Sequence, residues 1–477
     1  MQFTKRIEHV QGEVEKYVER EHEKIIPEFY KACRKMKLGH FLNRNNIRKE
    51  AGYPLHQVLL VLLMIPFIRL KTIHQFWQKH FEKMLEAQKD TYYRLVNNAS
   101  YNWQGLLHSL VLRAMQLTQN QERDNMFIVD DTVCRKRGKR MEKVSYIFDH
   151  TENRTILAYN TVVLGLCTDK GFLPVGGAFK VGDKKPAAHK KRKAKKNQDR
   201  RTLAFKYADD AENKTKHELA LQLVGDAVAK GINAAYVLFD SWFASKNMVC
   251  ELRALKMHVI CQVKKDKRLY VFNGREYTLT QLYNRHARRK MYVHKDDGLK
   301  IFPLVVEWPG VGRVTLVFSK FLCPPAGSNI PPKQWVAFLC TDGRLAAMTI
   351  IEKYVCRWSI EVFFKESKQL LSYGKCQSES FTAQINCMYF SMLRYVLLST
   401  MKHISTLWDT IGTLFESMAD ELCELTFSKR LLQWFLSVVN LIVSEFSKVF
   451  KEDFSCVLDV INYAYQRTFS APLRCET

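Results

Sequence analysis

Ala234-Ala235-Tyr236-Val237-Leu238-Phe239-Asp240-Ser241-Trp242-Phe243 is the stretch that decides the fold class. Its apolar run leaves no polar face, so a strand here must be covered on both sides, as strands of parallel sheets are. Working outward, the spacing predicts a helix over Lys214–Ala229 before it. A helix over Ser245–Leu255 and a strand over His258–Val263 follow. Strand–helix alternation of this kind argues for an α/β core. A second apolar run, Met126-Phe127-Ile128-Val129, ends in Asp130-Asp131-Thr132, and further β-like segments cover Val144–Phe148, Ile156–Leu166 and Phe172–Val181.

The flanks differ in texture. Residues 1–120 read as helical, with apolar spacing at Phe76, Phe81, Met84 and Leu85. Basic residues are frequent there, at Lys31, Arg34, Lys35, Lys37, Arg44, Arg48 and Lys49. This is either a DNA-binding module or a packing domain with a solvated face. Residues 264–343 read as an all-β insertion: Leu269–Phe272, Lys290–His294, Ile301–Trp308, Arg313–Phe318 and Trp335–Cys340, punctuated by Pro324-Pro325 and Pro331-Pro332. Helices are expected from Arg344 onward, with one continuous helix over about Leu345–Leu371 and a buried one over Leu431–Val443. The domain reading is 1–120, a core of 121–263 with 344–378, the insertion 264–343, and a C-terminal helical region 379–477.

Composition excludes several classes. The chain has 477 residues, 47% hydrophobic and 26% charged, which is ordinary for a folded protein and unlike a disordered one. The longest apolar run, Val58–Ile68, is broken by Pro66 and closed by Arg69, short of the roughly 20 residues a spanning helix needs. Thirteen cysteines without a C-x-x-C pair argue against a disulfide framework and a cysteine zinc site. With no apolar leader at the N-terminus, a cytoplasmic, nucleoid-associated location is expected. Lys plus Arg exceed Asp plus Glu by 26, which points to a polyanionic partner, nucleic acid first. Ten Lys or Arg crowd into Lys184–Arg201, including Lys190, Lys191, Arg192 and Lys193. That segment is a solvated linker, or a phosphate-contacting one that releases counterions on binding DNA.

Two carboxylates close apolar runs, Asp131 and Asp240. A strand-terminal Asp is commonly a turn or cap residue, and Thr132 and Ser241 suit that plainer reading. Ligands of open α/β sheets nonetheless gather at strand ends. On a helical wheel Tyr354, Arg357, Glu361, Lys365 and Lys368 share one face. This is either a surface stripe laced by i,i+4 ion pairs or a metal-binding Glu flanked by phosphate-grasping groups. Cutting a DNA phosphodiester calls for an activated oxygen nucleophile and a stabilised leaving oxygen, which two divalent ions about 3.5–4 Å apart supply. Mg2+ prefers carboxylate oxygens, so Asp and Glu are the suitable ligand types.

The segment Tyr354-Val355-Cys356-Arg357-Trp358-Ser359-Ile360-Glu361-Val362-Phe363-Phe364-Lys365-Glu366-Ser367-Lys368 carries the spacing Y-x2-R-x3-E-x6-K. It resembles the signature of bacterial cut-and-paste transposases of the insertion-sequence-4 family. Ile128–Thr132 resembles that family's first-Asp strand, and Leu238–Phe243 its second. The resemblance implies an RNase H-like catalytic core with an all-β insertion, flanked by helical N- and C-terminal regions. It implies Asp131, Asp240 and Glu361 as catalytic ligands of two Mg2+ ions, with Mn2+ as a substitute and Asp130 as the register alternative to Asp131. Tyr354, Arg357 and Lys368, with Lys365 in support, would contact phosphates. Trp335 would stack on a flipped base, with Trp308 second, although an ordinary core role for Trp335 stays open. It further implies double-stranded DNA as partner (terminal inverted repeats and target) and a homodimer in the synaptic complex, with the C-terminal helices as candidate dimer contacts; their apolar residues Trp434, Phe435, Val438, Leu441 and Ile442 are equally consistent with an intramolecular core. The expected chemistry is excision and integration through a hairpin intermediate. A stand-alone RNase H-fold nuclease and a domesticated DNA-binding regulator are the alternatives.

Overall fold

The structure, a computed structural model, describes residues 28–78, 87–121, 125–149, 152–184, 186, 199–294, 298–322, 334–405, 407–424 and 439. Lys190, Lys191, Arg192, Lys193, Phe81, Met84 and Leu85 lie outside these residues, as do the C-terminal residues 440–477 and the helix read over Leu431–Val443 apart from residue 439.

Among the described residues six helices come first: α1 (Glu28–Lys35), α2 (Leu38–Arg44), α3 (Leu55–Met64), α4 (Ile73–Gln78), α5 (Lys89–Val96) and α6 (Trp103–Leu117). Then come β1 (Met126–Arg135), β2 (Ser145–Asp149), β3 (Arg154–Thr168) and β4 (Gly171–Lys180). An alternating stretch follows: α7 (Leu203–Asn213), α8 (Lys216–Ala229), β5 (Tyr236–Phe239), α9 (Lys246–Ala254) and β6 (His258–Gln262). Next are β7 (Leu269–Phe272), β8 (Arg275–Thr278), α10 (Leu279–Leu282) with a π-helical turn at Tyr283–Ala287, β9 (Tyr292–His294), β10 (Leu299–Trp308), β11 (Gly312–Phe321) and β12 (Val336–Cys340). Helices α11 (Ala347–Val355), α12 (Trp358–Gln369) and α13 (Phe381–Ile404) complete the set, before a further helical stretch at 411–424.

All twelve strands share one mixed sheet in the order β2-β3-β1-β5-β6-β12-β11-β10-β7-β8, with β4 on β3 and β9 on β10. β1 is antiparallel to β3 and parallel to β5, and β5 is parallel to β6. β12 joins β6 antiparallel and carries the ladder into β11 and β10. The stretch 264–343, read as purely β, therefore extends the same sheet. It also contains α10 and its π turn, started by a capping box in which Thr278 Oγ1 accepts from the Gln281 N–H and the Gln281 side chain accepts from the Thr278 N–H.

Local chemistry explains the elements that frame the sheet. Thr215 and Glu218 form a capping box at the start of α8, and Ser245 caps α9 by accepting from the Met248 N–H. β5 is buried at all four positions, as its apolar run requires. α13 is buried along most of its length and packs on β4 and α6. β1 faces two helices at once. Ile128, Asp130 and Thr132 point toward α12, while Val129, Asp131 and Val133 point toward α8, because successive strand residues alternate sides.

Gly165 of β3 lies at a register irregularity, under the ring of Phe172. A Cβ there would stand 2.0 Å from Phe172 Cζ, far inside van der Waals contact. Gly165→Ala is expected to lower stability by about 1–3 kcal/mol, the usual effect of overpacking. Urea unfolding measures it. Adding Phe172→Leu should recover part of the loss, and no recovery would point to backbone strain instead.

Candidate active site

β1 does not end at Asp131. It continues to Arg135 because β3 offers a partner along its whole length, from Met126 opposite Cys167 to Arg135 opposite Ala158. Its parallel partner β5 stops earlier, with Phe239 opposite Val129. Asp130 is thus the first β1 residue beyond the end of β5, level with Asp240, and the two carboxylates share one face of the sheet.

Above that face the expected continuous helix is broken. α11 and α12 are separated at Cys356-Arg357, where the backbone makes short i,i−3 bonds: Cys356 N to Lys353 O at 3.2 Å, and Arg357 N to Tyr354 O at 3.0 Å. Such tightened turns redirect a helix without Pro or Gly. Tyr354 lies before the break and packs on Phe338 of β12, with ring centroids 4.7 Å apart. Arg357, Glu361 and Lys368 lie at or after it. Arg357 Nη1 donates to Asp130 Oδ2 at 3.0 Å, and its Nη2 donates to Glu361 Oε1 at 2.6 Å. One guanidinium therefore links acids from β1 and α12. Lys368 Nζ donates to Thr132 Oγ1 at 2.6 Å and to the Val133 carbonyl at 3.1 Å, seating the far end of α12 on β1.

Asp131 is on the other side. Its Oδ2 accepts from Lys216 Nζ and from Asn160 Nδ2, each at 2.9 Å. Lys216 is the first residue of α8, and its ammonium also lies 4.6 Å from the Trp242 ring, which stacks on His217 at 4.9 Å. The geometry thus sets Asp131 apart from Glu361 and Arg357. Asp130, the register alternative, is the residue brought beside Asp240, Arg357 and Glu361. Lys216 and Asn160 were not foreseen, since nothing in their own segments links them to β1.

The electrostatics of this centre are those of crowded acids. Burial pushes the Asp130 carboxyl up to about 7, opposed by Arg357 and the Asp131 N–H and assisted by the negative charges of Asp240 and Asp131. Burial disfavours the Arg357 charge, but Tyr354, Glu361 and Asp130 together hold its pKa above the usual value. Asp240 uses Oδ1 to accept from the Trp242 and Phe243 N–H groups at 2.9 and 3.4 Å, so the turn and site readings of this residue coexist.

The other expected contacts divide. Lys365 is exposed on α12. Trp335 is half-buried with both faces taken: Tyr283 stacks on it at 4.1 Å and 13°, and Lys265 Nζ lies 4.0 Å from its ring centroid. As arranged it offers no free face to a nucleobase, contrary to the expectation. Trp308, the second choice, is buried in the insertion with Arg268 over its ring. Among the described residues the exposed indoles are Trp242, two residues after Asp240, and Trp358, next to Arg357.

Among the described residues no three His, Cys, Asp or Glu side chains are gathered as a metal-ligand cluster. Nor is any helix among them long and apolar enough to cross a membrane. Asp130, Asp240 and Glu361 are hard oxygen donors suited to Mg2+ or Mn2+, and Arg357 stands between two of them as a cation in its own right. The donor chemistry fits a divalent ion.

Comparison with known proteins adds one finding. No curated protein matches the chain. The sequence profile of a family described as DDE superfamily endonuclease matches residues 41–295, more than half of the 477, taking in Asp130, Asp131 and Asp240 and stopping before Glu361. With the acids of β1 and β5 side by side and inside that match, the chain belongs to the DDE superfamily endonuclease family.

Proposed function

We propose that this protein is a DNA transposase of the insertion-sequence-4 type. It would excise and integrate its element by phosphodiester hydrolysis and strand transfer at Asp130, Asp240 and Glu361. The observation that carries the reading is the convergence of Asp130 and Asp240, level across parallel strands, with Glu361 joined to Asp130 through Arg357. In support, β3, β1, β5 and β6 run antiparallel, then parallel, then parallel, as an RNase H-like core would, and β7–β12 come between β6 and the helix of Glu361, as an insertion would.

Members of the DDE superfamily generally use divalent metals. Here Asp130, Asp240 and Glu361 would hold them, and bound ions would supply nucleophile activation and leaving-group stabilisation. The chain's own groups account for the rest. Lys368 anchors α12 to β1 and so fixes where Glu361 stands. Arg357 and the exposed Lys365 are cations on the substrate side, and a guanidinium fork suits phosphate as well as carboxylate. Tyr354 braces the helix break against β12. The proposed order is nicking at the element end, attack of the freed 3′-hydroxyl on the opposite strand to give a hairpin, hairpin opening, and joining of the 3′-hydroxyls to target DNA. Pairing of two ends calls for a homodimer on DNA.

The test incubates purified protein with DNA carrying the element's own ends and Mg2+. Hairpin-ended and joined products are expected. Nicks alone would turn the reading toward a stand-alone nuclease. Asp240→Ala should abolish cleavage while leaving DNA binding, read by gel shift in EDTA, within about twofold, because phosphate contacts dominate affinity when no divalent ion is bound. Retained cleavage would remove Asp240 from the site.

A further inference from the structure

We propose that Arg357 is an exchangeable counter-cation. It neutralises Asp130 and Glu361 while DNA is absent, moves to a backbone phosphate when DNA docks, and thereby couples divalent-ion loading to DNA binding. The inference rests on the carboxylate assignment above and adds to it a coupling between two ligands.

Four observations carry it. First, both terminal nitrogens of Arg357 are committed to the acids, at 3.0 Å to Asp130 Oδ2 and 2.6 Å to Glu361 Oε1. A divalent ion would need oxygens of the same two carboxylates, so guanidinium and metal compete for them. Second, the third nitrogen of the group, Nε, is buried and its N–H finds no acceptor. A guanidinium has five N–H donors, and a buried unpaired one is costly, so the resting position does not satisfy this group fully. Third, Arg357 lies at the α11–α12 break, between the exposed side chains of Val355 and Trp358. The exchange takes the largely buried side chain, 16% exposed, outward at this break. Fourth, the other nearby ammonium groups are engaged elsewhere: Lys368 with Thr132 and the Val133 carbonyl, and Lys216 with Asp131 on the opposite face. Neither takes over as partner of the Asp130–Glu361 pair.

The coupling is reciprocal by thermodynamic necessity. If a phosphate that removes Arg357 tightens metal binding, metal must tighten phosphate binding by the same factor. It also has a physiological sense: in the DNA-free protein the acids would be held closed, and the metal-loaded centre would form on the substrate.

The test uses the full chain without DNA, titrated with Mn2+ and read by the electron paramagnetic resonance of free Mn2+. Arg357→Gln is expected to tighten Mn2+ binding roughly 5- to 150-fold, the usual range of such couplings. Glu361→Gln should weaken it. In parallel, the affinity for a fluorescent linear duplex is measured by anisotropy in Ca2+ and in EDTA. Ca2+ should strengthen wild-type binding by a comparable factor and leave Arg357→Gln unaffected. Should Arg357→Gln lose its helical circular dichroism, Arg357→Lys replaces it, since a single ammonium cannot fork to both acids, and a smaller tightening is expected. Unchanged or weaker Mn2+ binding in the Arg357 variant, with Glu361→Gln still weakening it, overturns the exchange and spares the carboxylate assignment. If Glu361→Gln leaves Mn2+ binding unchanged, the assignment itself fails and the exchange falls with it.

Discussion

Asp130→Asn is expected to abolish Mg2+-dependent DNA cleavage, by at least ~10^3-fold, the scale on which losing one member of a catalytic unit is felt, whereas Asp131→Asn should keep most of the activity. The two residues are adjacent and chemically identical, so the contrast tests geometry alone. Asp130 faces Arg357 and stands beside Asp240. Asp131 faces α8 and is held by Lys216 and Asn160. Asparagine at 131 keeps a side chain that can accept from both donors, and it gives up a partly buried ion pair. That loss costs about 1 kcal/mol of stability and little rate. Asparagine at 130 removes the negative charge from the acidic centre itself. Time courses of duplex nicking with purified variants, alongside gel shifts to confirm DNA binding, give the answer. An inactive Asp131→Asn with an active Asp130→Asn would reverse the assignment and return the catalytic acid to the face of α8.

Arg394→Leu is expected to destabilise the fold by about 2–6 kcal/mol, enough to leave little soluble protein. Arg394 sits within α13 and is 6% exposed. Among the described residues no carboxylate pairs with it. Its Nε donates to the Leu63 carbonyl at 2.9 Å, Nη2 to the Leu62 carbonyl at 2.7 Å and Nη1 to the Leu371 carbonyl at 3.0 Å. The first two carbonyls belong to the last turn of α3 and the third follows α12. The carbonyl ends of two helices, one from each flank, thus share one guanidinium, which suits the partial negative charge there. Burial, opposed by Cys387, lowers the Arg394 pKa to about 10, so the group stays charged at neutral pH. Leucine would leave the Leu62 and Leu63 carbonyls unpaired, at about 1–3 kcal/mol each, while the Leu371 carbonyl keeps the Ser391 hydroxyl as donor at 3.0 Å. Arg394→Lys should lose less, because one ammonium can still reach some of them. Urea unfolding of both variants separates the cases. A small loss in Arg394→Leu would mean that water reaches these carbonyls.

The parts legible in the sequence were those governed by local patterning. β5, α9 and β6 lie within a residue or two of expectation because buried apolar runs and Ser/Thr caps are encoded where they act. Asp240 at the end of β5 was readable for the same reason. The face of β1 was not. Both of its sides are covered by helices, so hydrophobic alternation, the usual guide to register, is absent around Asp130-Asp131. Only the pairing partners Arg357 and Lys216, 227 and 85 residues away, distinguish the two acids. The break at Cys356-Arg357 was hidden too, since neither residue is a helix breaker and the bend answers to tertiary contacts of Tyr354 and Arg357. The occupied faces of Trp335 depend on Tyr283 and Lys265, which belong to other elements.

The continuity of the sheet has a mechanical consequence. β12 is bonded to β6, and β6 to β5, whose last residue precedes Asp240. An outer segment joined by a flexible linker would swing freely. One joined by successive backbone ladders is stiff, and a push at its far edge travels through the lattice of hydrogen bonds. DNA pressing on β10 or β11 would act on the strand that carries Asp240 as a handle acts on a blade, so strain applied to the substrate far from the carboxylates reaches them as torque.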